Sequence, residues 1–352
     1  MPHTRRQAVT IKHVAAEAGV SLQTVSRVIN NEPNVRPVVQ ERVNAAVAKL
    51  GYVPSLAARR LGGSRSYLIL ALNDRDRTIE GWQSGEGTDW VDQMLLGGML
   101  KCAEHGYRMI FELVDTHNAH VEREIMGALS SLRPDGVILT PPHGDNPIIT
   151  DLLIRQHIPF ARIGSVHDGA GFSISMDDAH AAEVATAHLI GLGHKRVGFI
   201  TGSDEYTLSG ARLEGWRRAM RAAGLKDADE LIGRGDFTFA SGITAATQLV
   251  SLADPATAIL ASNDQMSLAT LHVAEARGLS VPRDLSIVSF DNTPVARFSV
   301  PPLTAIAQPI AAMTARAAEL LIEAKQGKPD PEQPSVLPFE LVVRASTGLR
   351  DG

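Results

Sequence analysis

Gln23 and Arg27 stand four positions apart, a spacing that puts both on one face of any helix carrying them, and Leu22 adjoins the first. These side chains suit the edges of base pairs. An amide can bridge N6 and N7 of adenine, a guanidinium can bridge O6 and N7 of guanine, and a leucine can meet a thymine methyl. Thr10, Ser21, Asn30, Asn34 and Tyr52 carry donors for phosphate oxygens, contacts that orient a protein without reading sequence. A second set of chemistry-bearing residues lies far along the chain. Arg212, Phe237, Asn263 with Asp264, and Asp291 combine a guanidinium fork, an amide, carboxylates and an aromatic face. Such groups pair with vicinal hydroxyls and cover the apolar side of a ring. Each has a rival role: Arg212 can pair with Glu214, Phe237 can be core, and Asn263 or Asp291 can cap a helix.

The first set needs a small helical frame. Thr10 can cap a helix with Ile11, Val14, Ala15 and Ala18 at helical spacing and Gly19 as its stop; Ser21 caps a second that runs through about Asn30. Two short helices joined by a Gly-containing turn form a helix-turn-helix, whose second helix enters the major groove. A third helix, about Pro37 to Leu50, closes the core with Val39, Val43, Ala46, Val47 and Leu50. The second set needs sheets. From Ser66 the apolar runs SYLILAL, YRMIFELV, DGVILTPP, IPFARIG, KRVGFIT, TAILAS and LSIVSF alternate with amphipathic stretches, which predicts an α/β body of two parallel sheets flanked by helices. Ligands bind at the carboxyl ends of such strands. Asn263, Asp264 and Asp291 follow strands there, Glu112 and Asp115 end the second strand, and His143 and Asp145 come after TPP.

Charge divides the chain in the same way. Residues 1–65 hold ten Lys/Arg against three Asp/Glu, whereas the rest holds 24 against 36, within a total of -5. A basic head on an acidic body fits a head that meets a polyanion. The single Cys102 excludes an internal disulfide, the opening residues lack an apolar signal region, and no run approaches a membrane span. A soluble cytoplasmic protein is expected.

The stretch VTIKHVAAEAGVSLQTVSRVINN, followed by NAAVAKLGYVPSLAARRL, resembles the head and hinge of the lactose-repressor (LacI/GalR) family of bacterial transcriptional regulators, without a gap from Val9 to Leu61. The resemblance continues in GHKRVGFITG, ARLEGWRRAM, GDF, ASNDQMSLA, VPRDLSIVSFDN and PPLTAIAQP. It implies a head over about 1–53, a hinge over 54–65, and a periplasmic-binding-protein-like body over 66–352. The body's two subdomains would take 66–164 with 293–327, and 165–292 with 328–352. The hinge helix would pair with its twin on DNA and wedge Leu61 into the minor groove, with Ala58 and Arg59 beside it. Arg212, Phe237, Asn263, Asp291 and Gln308 would contact a small, sugar-like effector. The expected partners are a palindromic operator, that effector, and further copies of the chain in a homodimer or tetramer. Effector binding would separate the hinges and release the operator.

ALNDRDRTIEGWQSGEGTDWVDQML departs from the family pattern. Trp82 and Trp90 bracket its glycine-rich part and can form a lid over a ring, pack internally or meet another subunit. Catalysis finds no support: the sequence holds no G-x-G-x-x-G after the first strand, no P-loop and no G-x-S-x-G. His117 and His120 lack matching metal-ligand partners, and Cys102 lacks a nucleophile's setting. No enzyme activity, metal or cofactor is expected.

Overall fold

The computed structural model describes residues 9–29, 34–52, 65–85, 87, 89–165, 167–328 and 334–350. Two compact units divide the chain, Met1–Tyr67 and Leu68–Gly352.

The first unit holds α1 (Ile11–Ala18), α2 (Leu22–Ile29) and α3 (Pro37–Leu50). The backbone N–H of Thr10 donates to His13 Nδ1 at 2.9 Å, so α1 starts on a side chain from its own first turn. Gly19 ends α1 at φ 61°, a conformation costly for any residue with a Cβ. The Ser21 hydroxyl accepts from the Thr24 N–H at 3.1 Å and starts α2. Val14, Ala18, Val25, Val28, Val43, Ala46 and Tyr52 form the buried centre. Arg42 of α3 donates to the Ala18 and Gly19 carbonyls at 2.6 and 3.2 Å, giving the orphan acceptors at the end of α1 a partner.

The second unit holds two six-stranded sheets. The first draws on β1 (Leu68–Asp74), β2 (Arg108–Val114), β3 (Gly136–Leu139), β4 (Phe160–Ile163), β5 (Phe172–Ser175) and β11 (Ser335–Val336), in the order β11-β5-β4-β3-β1-β2, all pairs parallel. The helices of its first part are α4 (Arg75–Ser84), α5 (Asp89–Glu104), α6 (Val121–Leu132) and α7 (Pro147–Arg155). The second sheet draws on β6 (Val197–Ile200), β7 (Ile232–Gly233), β8 (Ala258–Ala261), β9 (Ser286–Asp291), β10 (Thr304–Ala307) and β12 (Glu340–Val342), in the order β12-β10-β9-β8-β6-β7. Only β12 runs antiparallel to its neighbour. Around it stand α8 (Asp178–Gly191), α9 (Thr207–Ala222), α10 (Phe239–Val250), α11 (Asp264–Ala276) and α12 (Pro294–Phe298), and α13 (Ile310–Lys325) follows β10.

Each sheet reverses its strand order beside its first strand, at β1 and at β6, and crevices open at such points. The chain passes between the sheets later than the sequence suggests. β5 still belongs to the first sheet, so the first crossing follows Ser175 instead of residue 164. β10 belongs to the second, which moves the return from about 292 to beyond Ala307 and leaves 293–307 in the second subdomain. β11 rejoins the first sheet, so the last crossing follows Val336, not 328. The cause is composition: FSIS of β5 and TAIA of β10 interleave polar or small residues, and β11 is only Ser335–Val336, so none of them stands out as an apolar run.

Candidate functional site

On α2 the buried face is Val25 and Val28, and Leu22, Gln23 and Arg27 stand on the exposed one. Leu22 keeps 44 % of its surface in contact with solvent, free to meet a partner. Thr10 and Asn34 are exposed, and Asn34 adopts φ 84° just before α3. Two expectations change. Tyr52 is 8 % exposed within the head's centre, where burial pushes its phenol up, so it serves the core instead of standing free as a donor. The Ser21 hydroxyl is engaged at the start of α2. Asn30, Ala58, Arg59 and Leu61 lie outside the described residues.

In the second unit a cleft opens at the carboxyl ends of β1, β6, β8 and β9, with about 1040 Å³ of atom-free space including its mouth. Trp90, Arg212, Phe237, Asn263, Asp291 and Gln308, scattered over 219 positions of sequence from 90 to 308, meet around it. Arg212 is 2 % exposed and held from three sides. Its Nε donates to Asp178 at 2.8 Å, one Nη donates to the Ser262 carbonyl at 2.6 Å, and the guanidinium lies 4.2 Å from the Phe290 ring centre. The alternative partner Glu214 instead meets Arg218. Asn263 does two things: its Oδ1 accepts from the Met266 N–H at 2.9 Å to start α11, and its amide donates to the Phe237 carbonyl at 2.8 Å. Phe237 and Asp291 both adopt positive φ, 74° and 88°. Side chains rarely adopt this region, and strained residues gather at ligand sites. Gly202 makes room for the Phe237 ring: a Cβ there would stand 2.0 Å from the ring's Cζ.

Carboxylates dominate the electrostatics. Burial, then the neighbouring Asp264, pushes Asp291 well above the usual carboxylate range, while Arg212 and Arg77 pull the other way. Burial also raises Asp264, opposed by bonds to its oxygens from the Ser289 hydroxyl and from the Thr293 N–H and hydroxyl. Burial and then Asp92 raise Asp89, at the start of α5 on the cleft wall. Gln308 Oε1 is buried without a hydrogen-bond partner.

Other sequence candidates stand elsewhere. Trp82 is 54 % exposed and away from the cleft lining, so only one of the two indoles reaches it. Glu112 lies within β2, paired with Leu72 of β1, and also misses the cleft. Asp145 joins the subdomains instead: its oxygens accept from the hydroxyls of Ser165 and of Thr207. His143 is fully buried and its Nε2 meets the Val114 carbonyl at 3.1 Å; burial lowers its pKa. Asp115, Asp76 and His117 cluster closely enough to share a cation, but the Arg75 guanidinium already meets both carboxylates, at 3.1 and 2.8 Å.

Sequence reading missed the residues that span the cleft. Arg77 of α4 donates to the Asp236 and Phe237 carbonyls at 2.7 and 2.6 Å and lies 5.2 Å from the Phe237 ring centre. The Tyr206 hydroxyl donates to Asp74 at 2.8 Å, and His117 Nε2 meets Glu205 at 2.7 Å. Glu205, and then its charge, raises the His117 pKa.

A two-lobed body with a polar and aromatic crevice between its sheets, on a chain that begins with a helix-turn-helix, defines a ligand-sensing DNA-binding protein. Residues 10–55 match the profile of bacterial regulatory proteins of the lacI family, and residues 186–347 match that of a periplasmic binding protein-like domain. The HTH-type transcriptional regulator CelR of Thermobifida fusca is 33 % identical over 349 residues, covering 97 % of this chain and 99 % of that protein. The HTH-type transcriptional repressor CytR of Escherichia coli K12 is 31 % identical over 97 % of this chain and 96 % of its own length. Among solved structures, a CelR–cellobiose complex aligns at TM-score 0.73 and 30 % identity, over 96 % of this chain and 99 % of its own. The lac repressor dimer bound to operator and the anti-inducer ONPF aligns at 0.77 and 26 %, over 97 % and 100 %. The chain belongs to the lacI family of bacterial regulatory proteins and is an HTH-type transcriptional regulator. Among the described residues no helix is long and apolar enough to cross a membrane.

Proposed function

We propose that this regulator represses genes of carbohydrate uptake or catabolism and releases a palindromic operator when a small sugar-like effector enters the cleft. The observation that carries the reading is the convergence of Arg212, Asn263, Asp291 and Gln308 with the rings of Trp90 and Phe237 on one crevice. Carboxylate, amide and guanidinium groups beside aromatic faces suit a ring that bears hydroxyls on its edge and C–H groups on its faces. Cellobiose in the related CelR complex is consistent with it.

Arg77, Tyr206, His117 and Asp145 bridge the two lobes, so a ligand that favours one lobe arrangement shifts the population by its differential affinity alone. In the head, Leu22, Gln23 and Arg27 read base edges, Thr10 and Asn34 face the phosphate backbone, and Leu61 with Ala58 and Arg59 enters the minor groove. Two heads on one palindrome require at least a dimer. Leu96, Met99 and Leu100, 50–58 % exposed at helical spacing on α5, supply an apolar strip suited to a second copy. The protein acts in the cytoplasm, performs no catalysis and uses neither metal nor cofactor.

Thermal-shift screening of the full chain against mono- and disaccharides tests the effector reading, and titration of operator-selected DNA against random DNA over a salt series tests the regulator reading. No stabilisation by any sugar removes the first. Equal affinity for selected and random DNA removes the second.

A further inference from the structure

α4 is built unlike its neighbours α6 and α7. α6 buries Val121, Ile125 and Leu129, and α7 buries Ile149, Leu152 and Leu153, whereas α4 buries no apolar side chain. Its single buried residue, Thr78, is held by polar contacts: the hydroxyl donates to the Asp74 carbonyl at 2.6 Å and accepts from the Asn73 amide at 2.7 Å. Arg75 meets Asp115 at 2.8 Å, so the first turn is tied to the first lobe at the ends of β1 and β2. Beyond Gly81 the residues Trp82, Gln83 and Ser84 are exposed, and the helix stops at Gly85, φ 74°. A Cβ there would meet no atom within 4 Å, so Gly85 serves a backbone turn and not a close approach. A helix of ten residues with so little apolar burial is marginal by itself.

What holds α4 down lies across the cleft. Arg77 donates to the Asp236 and Phe237 carbonyls of the second lobe at 2.7 and 2.6 Å. Asp74 works from both sides: one oxygen accepts from the Arg77 N–H at 3.1 Å to start α4, and the other accepts from the Tyr206 hydroxyl of the second lobe at 2.8 Å. Arg77, Thr78, Glu80 and Gly81 line the cleft, and Glu80 is exposed as well, which puts α4 at the mouth. One side of the helix thus faces the cleft, while Asp76 and Gln83 face solvent.

We propose that α4 is a lid on the cleft: it pivots on its first turn, is latched to the second lobe by Arg77, and lifts to let an effector in or out. This rests on the cleft being the effector site and adds how a ligand reaches it. Segments that open to pass a ligand are drawn from the least stable parts of a fold, and α4 fits that description. It also lies within the stretch that departs from the family pattern.

The test is amide exchange by mass spectrometry on the full-length protein without ligand, so its result is independent of the sugar reading. The α4 peptide is expected to exchange faster than that of α6. Arg77→Ala is expected to speed α4 about tenfold further, the worth of one hydrogen bond from a charged donor, with α6 unchanged. Thr207→Val loosens the lobes through a bond to Asp145 that includes no residue of α4, and it is expected to leave α4 as it was. Access supplies a second readout. In a Trp82→Phe background Trp216 is fully buried and Trp90 lines the cleft, so acrylamide quenching reports entry, and Arg77→Ala is expected to raise it. Unchanged α4 exchange in Arg77→Ala, or a rise that α6 shares, overturns the lid. Equal acceleration by Thr207→Val makes α4 a passive part of lobe motion and overturns it too. Faster exchange with unaltered quenching overturns its role as a gate.

Discussion

Replacing Arg212 by methionine separates what this residue does for the fold from what it does for a ligand. Arg212 and Asp178 are each 2 % exposed and bonded at 2.8 Å, so the substitution strands a carboxyl group in the interior beside an unpaired Ser262 carbonyl. Removing one partner of such a pair costs about 3–5 kcal/mol. At roughly 2–4 °C per kcal/mol for a unit of this size, the melting point falls by about 6–20 °C. The double variant Arg212→Met with Asp178→Asn leaves no unpaired charge at positions 178 and 212 and recovers more than half of the loss, although it still lacks Arg212 at the cleft. Acidity supplies an independent check. Burial already raises Asp178 despite Arg212, and loss of the guanidinium raises it further. A raised folded pKa contributes stability that is present at low pH and lost as pH rises through that value, so the single variant's deficit shrinks as pH falls toward the usual carboxylate range near 4. The readout is urea unfolding followed by fluorescence of Trp216, which is buried on the same helix one turn further on. A single variant within about 1 kcal/mol of the parent, or a double variant no more stable than the single one, refutes the assignment of a buried, mutually dependent pair.

Arg42→Ala removes two bonds to the end of α1 and lowers the head's stability by about 1–2 kcal/mol, seen as faster amide exchange in α1 with no change in the body. Gly202→Ala places a methyl 2.0 Å from the Phe237 ring and expels it from the cleft wall. Its expected signature is a loss of effector-induced thermal shift with operator affinity retained; an unaltered shift assigns the ring no part in binding. Gln23→Ala relaxes preference at one operator base pair by about 1–3 kcal/mol, measured by competition between operator variants. Leu61→Ala weakens operator binding while the effector-induced shift persists, and unchanged operator affinity counts against a minor-groove wedge.

Legibility in the sequence followed distance along the chain. The head was readable to within a residue because its signals are local: Pro37 opens α3, Gly51 ends it at φ 60°, and Gly19 ends α1. Asn263 and Asp291 could be placed at the cleft because a parallel sheet delivers its strand ends to one edge, so a polar residue just after an apolar run is already located, whereas Arg212, within α9, was reached only through the family resemblance. The same rule misplaced Glu112, because β2 continues past it to Val114 and keeps it within the strand. Arg42 belongs with the unread residues: its partners lie more than 20 positions away, and nothing near it signals a cap. Arg77 and Tyr206 meet partners 159 and 132 positions away, and no local pattern encodes a contact between lobes.

The Phe237 carbonyl shows why those distant contacts bear on control. It accepts from Asn263 of its own lobe at 2.8 Å and from Arg77 of the other at 2.6 Å, while its backbone is held at positive φ and its ring faces the cleft. Separation of the lobes breaks the Arg77 bond but not the Asn263 bond, so the ring stays on the cleft wall and loses the cation above it. Arg77 is thus one of the contacts between the lobes, beside those of Tyr206, His117 and Asp145, through which a ligand resting on the Phe237 ring would bias their arrangement. Arg77→Lys keeps the charge but cannot hold two carbonyls in one plane, and it is expected to preserve much of the ligand affinity while reducing the ligand's effect on operator binding. Equal losses in both would place Arg77 in ligand binding alone and remove it from the coupling.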